Sequence, residues 1–215
     1  MKLELRPKHQ TIGVLFSGGM DSTLLLYMLG KQYPNRRIMA FSAGCSYIDN
    51  RIHMKQVNDV FERVTHLVPQ GALDYHITHY HEDRSTHHCN QAMQEFNSMV
   101  DIWINGLNAA PPPGTKVTDC YGVEHDLFEL CHLEERKKDN APVWRTVDGY
   151  EYYTPLANLH KQDIVALYKR FGIYTSLMHL TRSCPKQWEY DEMKLYTPEC
   201  GWCYFCLERK WGLML

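Results

Sequence analysis

A short apolar run that ends in paired glycines and reopens as a leucine-rich helix is the strongest constraint in this chain. Residues 12–16 (IGVLF) suit a buried strand, Ser17-Gly18-Gly19-Met20-Asp21-Ser22 follow at once, and residues 21–31 carry apolar side chains over much of a helical surface. Gly-Gly alone is compatible with a plain turn, with Asp21 or Ser22 capping the helix. In strand–loop–helix order it also makes an anion site. Glycines let the backbone turn tightly and come close to a ligand. The N–H groups that open a helix have no internal partners and carry the positive end of its dipole. The Ser17 and Ser22 hydroxyls can donate to phosphate oxygens. Asp21 repels bare phosphate, so its place here calls for a bridging metal or a capping role. The loop is neither a Walker A nor a dinucleotide loop.

The rest of the chain repeats the alternation. Further strands are expected at 37–44, 72–78 and 101–106, and helices at 51–64, 88–101, 129–138 and 159–171, the last stopped by Gly172. Three prolines make 108–117 a loop. Such alternation predicts βαβ units and a parallel sheet, with ligands at the carboxyl ends of the strands. A length of 215 residues fits one α/β domain with a small appendage. The division expected is 1–180 for the α/β domain and 181–215 for a C-terminal cysteine segment packed on the same unit.

The net charge of -2 leaves no global basic field, which disfavours a nucleic-acid partner. The apolar stretches fall well below the ~18 residues a membrane span needs. The opening MKLELRPKHQTIGVLF does not read as a signal peptide, because its apolar run is short and enters Gly-Gly. A soluble cytoplasmic protein is therefore expected. There cysteines stay reduced, so the eight in this chain point to metal or packing rather than disulfides.

Four of them form a pattern. Cys184, Cys200, Cys203 and Cys206 stand as C-x15-C-x2-C-x2-C. Four thiolates complete a tetrahedral zinc site and leave no open position, so a structural role is expected. A [4Fe–4S] cluster and redox exchange between neighbouring thiols are the rival readings. Cys45, Cys89, Cys120 and Cys131 read as small buried residues, with Cys45 the one placed to line a nucleotide crevice. The histidines at 76, 79, 81, 87 and 88 read as a solvated loop or a lid rather than a second metal site.

Ser17-Gly18-Gly19-Met20-Asp21-Ser22 resembles the SGGxDS pyrophosphate loop of the ATP pyrophosphatase (adenine nucleotide alpha-hydrolase-like) superfamily. Combined with the cysteine pattern, it is similar to the 7-cyano-7-deazaguanine synthase family. Thr154-Pro155-Leu156 followed by Lys161 looks like the TPL…K segment of that family, and CGWCYFCLERKWGL (200–213) is similar to its CGxCxxCxxRxxGL ending. The resemblance implies a Rossmann-like sheet flanked by helices, with a small zinc-binding subdomain. It implies ATP and Mg²⁺ at Ser17, Gly18, Gly19, Asp21, Ser22 and Lys161, structural Zn²⁺ at the four cysteines, and a homodimer. Asp21 and Lys161 would be the catalytic pair. The implied substrates are 7-carboxy-7-deazaguanine, ammonia and ATP, and the implied products are the nitrile, AMP and pyrophosphate.

Three stretches depart from that pattern. Ala43-Gly44-Cys45-Ser46-Tyr47, His87-His88-Cys89-Asn90 and Asn108 to Gly114 stand where the family carries other substrate-facing residues. Asn105, Asn108 and Asp119 could meet a polar heterocycle or satisfy their own backbone. The alternatives are adenylation of another carboxylate, a protein or tRNA acceptor, and a nucleotide- or zinc-binding module without turnover.

Overall fold

The structure is a computed structural model and describes residues 1–45, 51–81, 95–184 and 199–214. Among those residues the main sheet has six strands, in the spatial order Tyr75–His81, Arg37–Cys45, Thr11–Leu15, Ile102–Ile104, Tyr150–Tyr153 and Trp144–Val147. The chain begins with β1 (Thr11–Leu15), α1 (Met20–Gln32), β2 (Arg37–Cys45), α2 (Arg51–Leu67) and β3 (Tyr75–His81). It then crosses back to set β4 (Ile102–Ile104) on the other side of β1. The strands β3, β2, β1, β4 and β8 (Tyr150–Tyr153) run parallel, and β7 (Trp144–Val147) is an antiparallel edge. The fold is thus the expected α/β, Rossmann-like arrangement. The order reverses at β1, which puts a topological switch point at the loop that follows it.

Helix α1 is enclosed. Met20 and every residue from Ser22 to Gly30 are buried. Its leucines, with Ile12 and Val14 of β1 and Val57, Val60 and Val64 of α2, make one core. This accounts for apolar side chains all round the helix, a pattern that belongs to a buried helix rather than an amphipathic one. The opposite face of the sheet has a smaller core, where Phe41 meets Trp103 edge-on at 4.7 Å between ring centres.

Several elements differ from expectation. Residues 129–138 do not form one helix. A short α3 (Leu127–Leu130), capped by Asp126, gives way to extended backbone at Cys131 and then to a 3-10 turn at Glu134–Lys137. The break brings Arg136 inward, where it is 5% exposed in an otherwise charged run. A hairpin of β5 (Lys116–Thr118) and β6 (Glu124–Asp126) follows the proline loop. The β7–β8 hairpin turns through Asp148 and Gly149, both at positive φ, as a two-residue Asp-Gly turn demands. Half of the helix expected at 88–101, residues 88–94, lies outside the described residues, as does His87; Asn97–Met99 is a 3-10 turn. Among the described residues, three further helices follow: α4 (Lys161–Arg170), α5 (Tyr174–Leu177) and α6 (Tyr204–Leu213). Among the described residues no helix is long and apolar enough to cross a membrane.

The reading of the histidine stretch as a solvated loop fails at His76, which lies in β3. Its ring stacks on Phe61 at 4.8 Å and meets Phe16 edge-on at 5.7 Å. Ser42 Oγ donates to Phe16 O at 2.6 Å and accepts from His76 Nε2 at 2.7 Å. Burial pushes the imidazole from its ordinary 6.5 down to about 4. Between these values the unfolded chain binds a proton that the folded chain refuses. The contribution to stability is therefore full above pH 6.5 and is lost as pH falls towards 4. The urea midpoint of the wild type should fall between pH 7 and pH 5, and His76→Phe should flatten that dependence; an unchanged slope in the variant would refute the assignment.

Candidate functional site

The loop after β1 is organised by its own serines. Ser17 Oγ and Ser22 Oγ lie 3.1 Å apart, Ser17 N donates to Ser22 Oγ at 3.2 Å, and Gly19 N donates to Ser17 Oγ at 3.3 Å. Gly18 has φ +68°, a left-handed conformation that a side chain strains, and a Cβ there would press on Gln56 and Val57 at 3.1 Å. Gln56 Nε2 donates to Gly18 O at 3.1 Å and to Leu180 O at 2.9 Å, so α2 and the 180–182 segment hold the loop from behind. The capping reading of Asp21 or Ser22 is corrected. Gly19 is the N-cap of α1, and no side chain caps the helix. Its opening N–H groups face the loop in the manner an anion needs.

A second helix start meets the first. Strand β8 runs into Thr154-Pro155-Leu156 and then α4, whose first residue is Lys161. His160 and Asp163 form a capping box there. The Lys161 side chain is 4% exposed, and its Nζ sits 2.5 Å from Asp21 Oδ2. Gly106, just past β4, packs against Asp21 from the third side. The carboxyl ends of β1, β4 and β8 therefore converge on one acid–base pair. Asp21 Oδ1 is buried and has no hydrogen-bond partner. A carboxylate with one oxygen held by lysine and the other unpaired fits a hard cation such as Mg²⁺.

Behind Lys161 lies a group the motifs did not disclose. Glu208 of α6 places Oε2 at 3.4 Å from Lys161 Nζ. Its Oε1 accepts from Arg136 and from the Tyr204 hydroxyl, the latter at 3.0 Å. Arg136 also donates to Asn108 O at 2.8 Å, Asn108 Oδ1 at 3.1 Å and Ala109 O at 3.3 Å. Burial by itself raises the Glu208 carboxyl, and the Lys161 and Arg136 charges overcome it and hold the carboxyl below its usual range. Burial likewise pushes the Tyr204 phenol up, with the Glu208 charge adding to it.

The sulfur atoms of Cys184, Cys200, Cys203 and Cys206 lie within 4.8 Å of one another. Two separations are 3.8 Å (Cys200–Cys206) and 3.9 Å (Cys203–Cys184). Sulfurs about 2.3 Å from a tetrahedral zinc stand about 3.8 Å apart. The sulfurs around a [4Fe–4S] cube are spread more widely, so the donor set fits a single ion. Cys200 N donates to Cys184 Sγ at 3.5 Å and Cys203 N to Cys200 Sγ at 3.3 Å, contacts that suit thiolates. Contact with Cys184 and burial push the Cys203 thiol up to about 12, and Cys206 is also raised, first by its contacts with Cys184 and Cys203. A bound cation reverses that preference and releases the protons.

Residues 7–93 match the family model described as Asparagine synthase. The match covers β1, the glycine loop, α1, β2, α2 and β3. It supports the superfamily to which the loop was likened, and not the narrower 7-cyano-7-deazaguanine synthase family. No curated protein matches the chain. Among solved structures, the chain is similar to a U34-tRNA thiolase, NcsA, from Methanococcus maripaludis, solved with its [4Fe–4S] cluster; the TM-score is 0.44 at 12% identity, over 77% of this chain and 58% of that one. It is also similar to NMN synthetase from Francisella tularensis, with a TM-score of 0.43 at 14% identity, over 82% of this chain and 66% of that one. This chain thus spans less than two thirds of either protein.

Other expected residues fall as follows. Asn105 Oδ1 accepts from Leu107 N at 3.1 Å, and Asn108 is buried and taken up by Arg136 and Ala109. Asp119 Oδ1 accepts from Tyr121 N and Val123 N, and its Oδ2 meets His125 at 2.9 Å. Asn105 and Asp119 serve their own loops, whereas Asn108 is tied to Arg136. Cys131 is buried as expected, but Cys120 is exposed at the β5–β6 turn, where its thiol donates to Cys200 O at 3.4 Å. Cys45 ends β2, and its side chain lies outside the described residues, as do those of Arg51, His53, His79 and His81. Glu208 and Arg136 gave no usable signal in the sequence, because each stands among other charged residues, in CLERK and EERKK.

Proposed function

We propose that this chain is an ATP pyrophosphatase-type ligase, which cleaves ATP between the α- and β-phosphates while adenylating a carboxylate. The observation that carries the reading is the Asp21–Lys161 pair. It joins the SGGMDS loop to a lysine 140 residues away in sequence, at the mouth of a buried helix. In this reading the α1 N–H groups and the Ser17 and Ser22 hydroxyls hold the pyrophosphate, and Lys161 neutralises charge as pyrophosphate leaves. Mg²⁺ bound at Asp21 would add its own charge to that neutralisation. Zn²⁺ at Cys184, Cys200, Cys203 and Cys206 would fix the C-terminal helix and take no part in the chemistry.

The narrower proposal is synthesis of 7-cyano-7-deazaguanine. The 7-carboxylate attacks the α-phosphate and pyrophosphate leaves. Ammonia displaces AMP to give the amide. The amide oxygen attacks a second ATP, pyrophosphate leaves again, and loss of AMP with a proton yields the nitrile. One observation favours a second reading, a different carboxylate or a macromolecular acceptor. Asn108 opens the substrate-side loop, yet its amide is committed to Arg136 and to Ala109. The test is incubation with Mg-ATP, ammonium and 7-carboxy-7-deazaguanine, read by mass spectrometry. AMP with nitrile supports the narrow proposal. AMP with amide alone removes the second activation from it. ADP as the product in place of AMP refutes the pyrophosphatase reading.

A further inference from the structure

We propose that Glu208 is a positioning residue for Lys161, and that the helix following the cysteines is thereby part of the nucleotide site. The inference rests on the ATP reading above. Lys161 has two anionic anchors, and they are not equivalent. Asp21, on the loop helix, has a buried oxygen with no hydrogen-bond partner, which a cation could take up. Glu208 has both oxygens committed to the protein, Oε1 to Arg136 and Tyr204 and Oε2 facing Lys161 at 3.4 Å. If a cation draws the Asp21 carboxylate to itself, Glu208 is the partner that stays and keeps the ammonium at the loop. Its side chain is 2% exposed, and a carboxylate so buried persists only beside cations. Among the described residues, two acids and two bases close the cluster, and loss of the Glu208 carboxylate leaves the Lys161 ammonium without its second anchor.

The packing agrees. A Cβ on Gly212 would come within 2.5 Å of Lys161 Cγ, so α6 lies directly along the lysine stem and tolerates only glycine at the crossing. Arg136 in turn fixes Glu208 through its bonds to the Asn108 and Ala109 carbonyls. The lysine is therefore held from its stem and from its head by one helix, and the N-cap of that helix is Cys203.

The experiment is calorimetric titration of Mg-ATP into wild type, Glu208→Gln, Lys161→Met and the double variant. AMP affinity is measured on the same proteins by displacement of a fluorescent ATP analogue. Glu208→Gln is expected to weaken Mg-ATP about tenfold, the scale of one hydrogen bond to a charged group. AMP, which lacks the phosphates the lysine meets, should stay within about twofold in that variant. The double variant should bind no worse than Lys161→Met, since two residues acting through one interaction are not additive. A Glu208→Gln protein that binds Mg-ATP like wild type overturns the inference. So does a parallel loss of Mg-ATP and AMP, which marks a structural role, and so do losses that multiply in the double variant. Should Glu208→Gln fail to fold, Glu208→Asp keeps the charge but shortens the reach between Arg136 and Lys161, and the same outcomes apply. A wild type that binds no Mg-ATP overturns the ATP reading and this inference with it, a result distinct from a wild type that binds and a variant that binds equally.

Discussion

Asp21→Asn should lower the rate of AMP formation from ATP by about a hundred- to a thousandfold, the cost of removing one preorganised electrostatic group from a transition state. The substitution keeps the size of the side chain and its place at the start of α1. It removes the charge that faces Lys161 at 2.5 Å and the anionic oxygen that stands open beside it. In the proposed reaction both losses would act where charge builds on the leaving pyrophosphate, so they should fall on kcat. The fold should survive, because Asp21 is the one residue between Met20 and Gly30 that is not fully enclosed. The melting temperature of Asp21→Asn should therefore stay close to that of the wild type. Turnover within tenfold of wild type, with the fold intact, would rule Asp21 out as a catalytic group.

Cys206→Ser should have the largest effect on stability. Cys206 is buried on the first turn of α6 and shares its sulfur cluster with Cys184, Cys200 and Cys203. A serine oxygen is a poor replacement for a soft thiolate in a four-sulfur site. Loss of a structural metal belongs with the few changes that cost more than about 4 kcal/mol. For a chain of this size that is a fall of roughly 10 °C in melting temperature. Plasma mass spectrometry should find about one zinc per chain in the wild type and a marked loss in the variant, as expected of a closed four-thiolate site. Iron in place of zinc, with a visible charge-transfer band, would overturn the choice of metal. A variant that loses its metal yet melts with the wild type would overturn the structural role.

The sequence disclosed the local features and withheld the distant ones. β1, the glycine loop and α1 were legible because an apolar run, two glycines and a leucine-rich helix follow one another without a gap. The cysteine site was legible because spacing alone brings three sulfurs together. The β7–β8 hairpin carried a usable sign in Asp148-Gly149, but its strands, WRTV and YEYY, are polar enough to pass for a loop. The split of the helix expected at 129–138 was hidden for a different reason. Helix formers in EERKK favour continuation, and only burial of Arg136 against Glu208, 72 residues on, overrides them. The same contact hid Glu208. On its own helix it stands in CLERK, where a glutamate next to arginine and lysine looks like a solvated face.

The enclosure of α1 has a consequence for motion. A helix buried from Ser22 to Gly30, with its first turn tied to Tyr168 by a 2.7 Å hydrogen bond to Met20 O, has no surface on which to slide. Its amides should be among the last to exchange with solvent. The loop end of α1 is therefore a fixed point. In the proposed reaction, any opening that admits substrate and lets pyrophosphate out would come from the peripheral pieces around it.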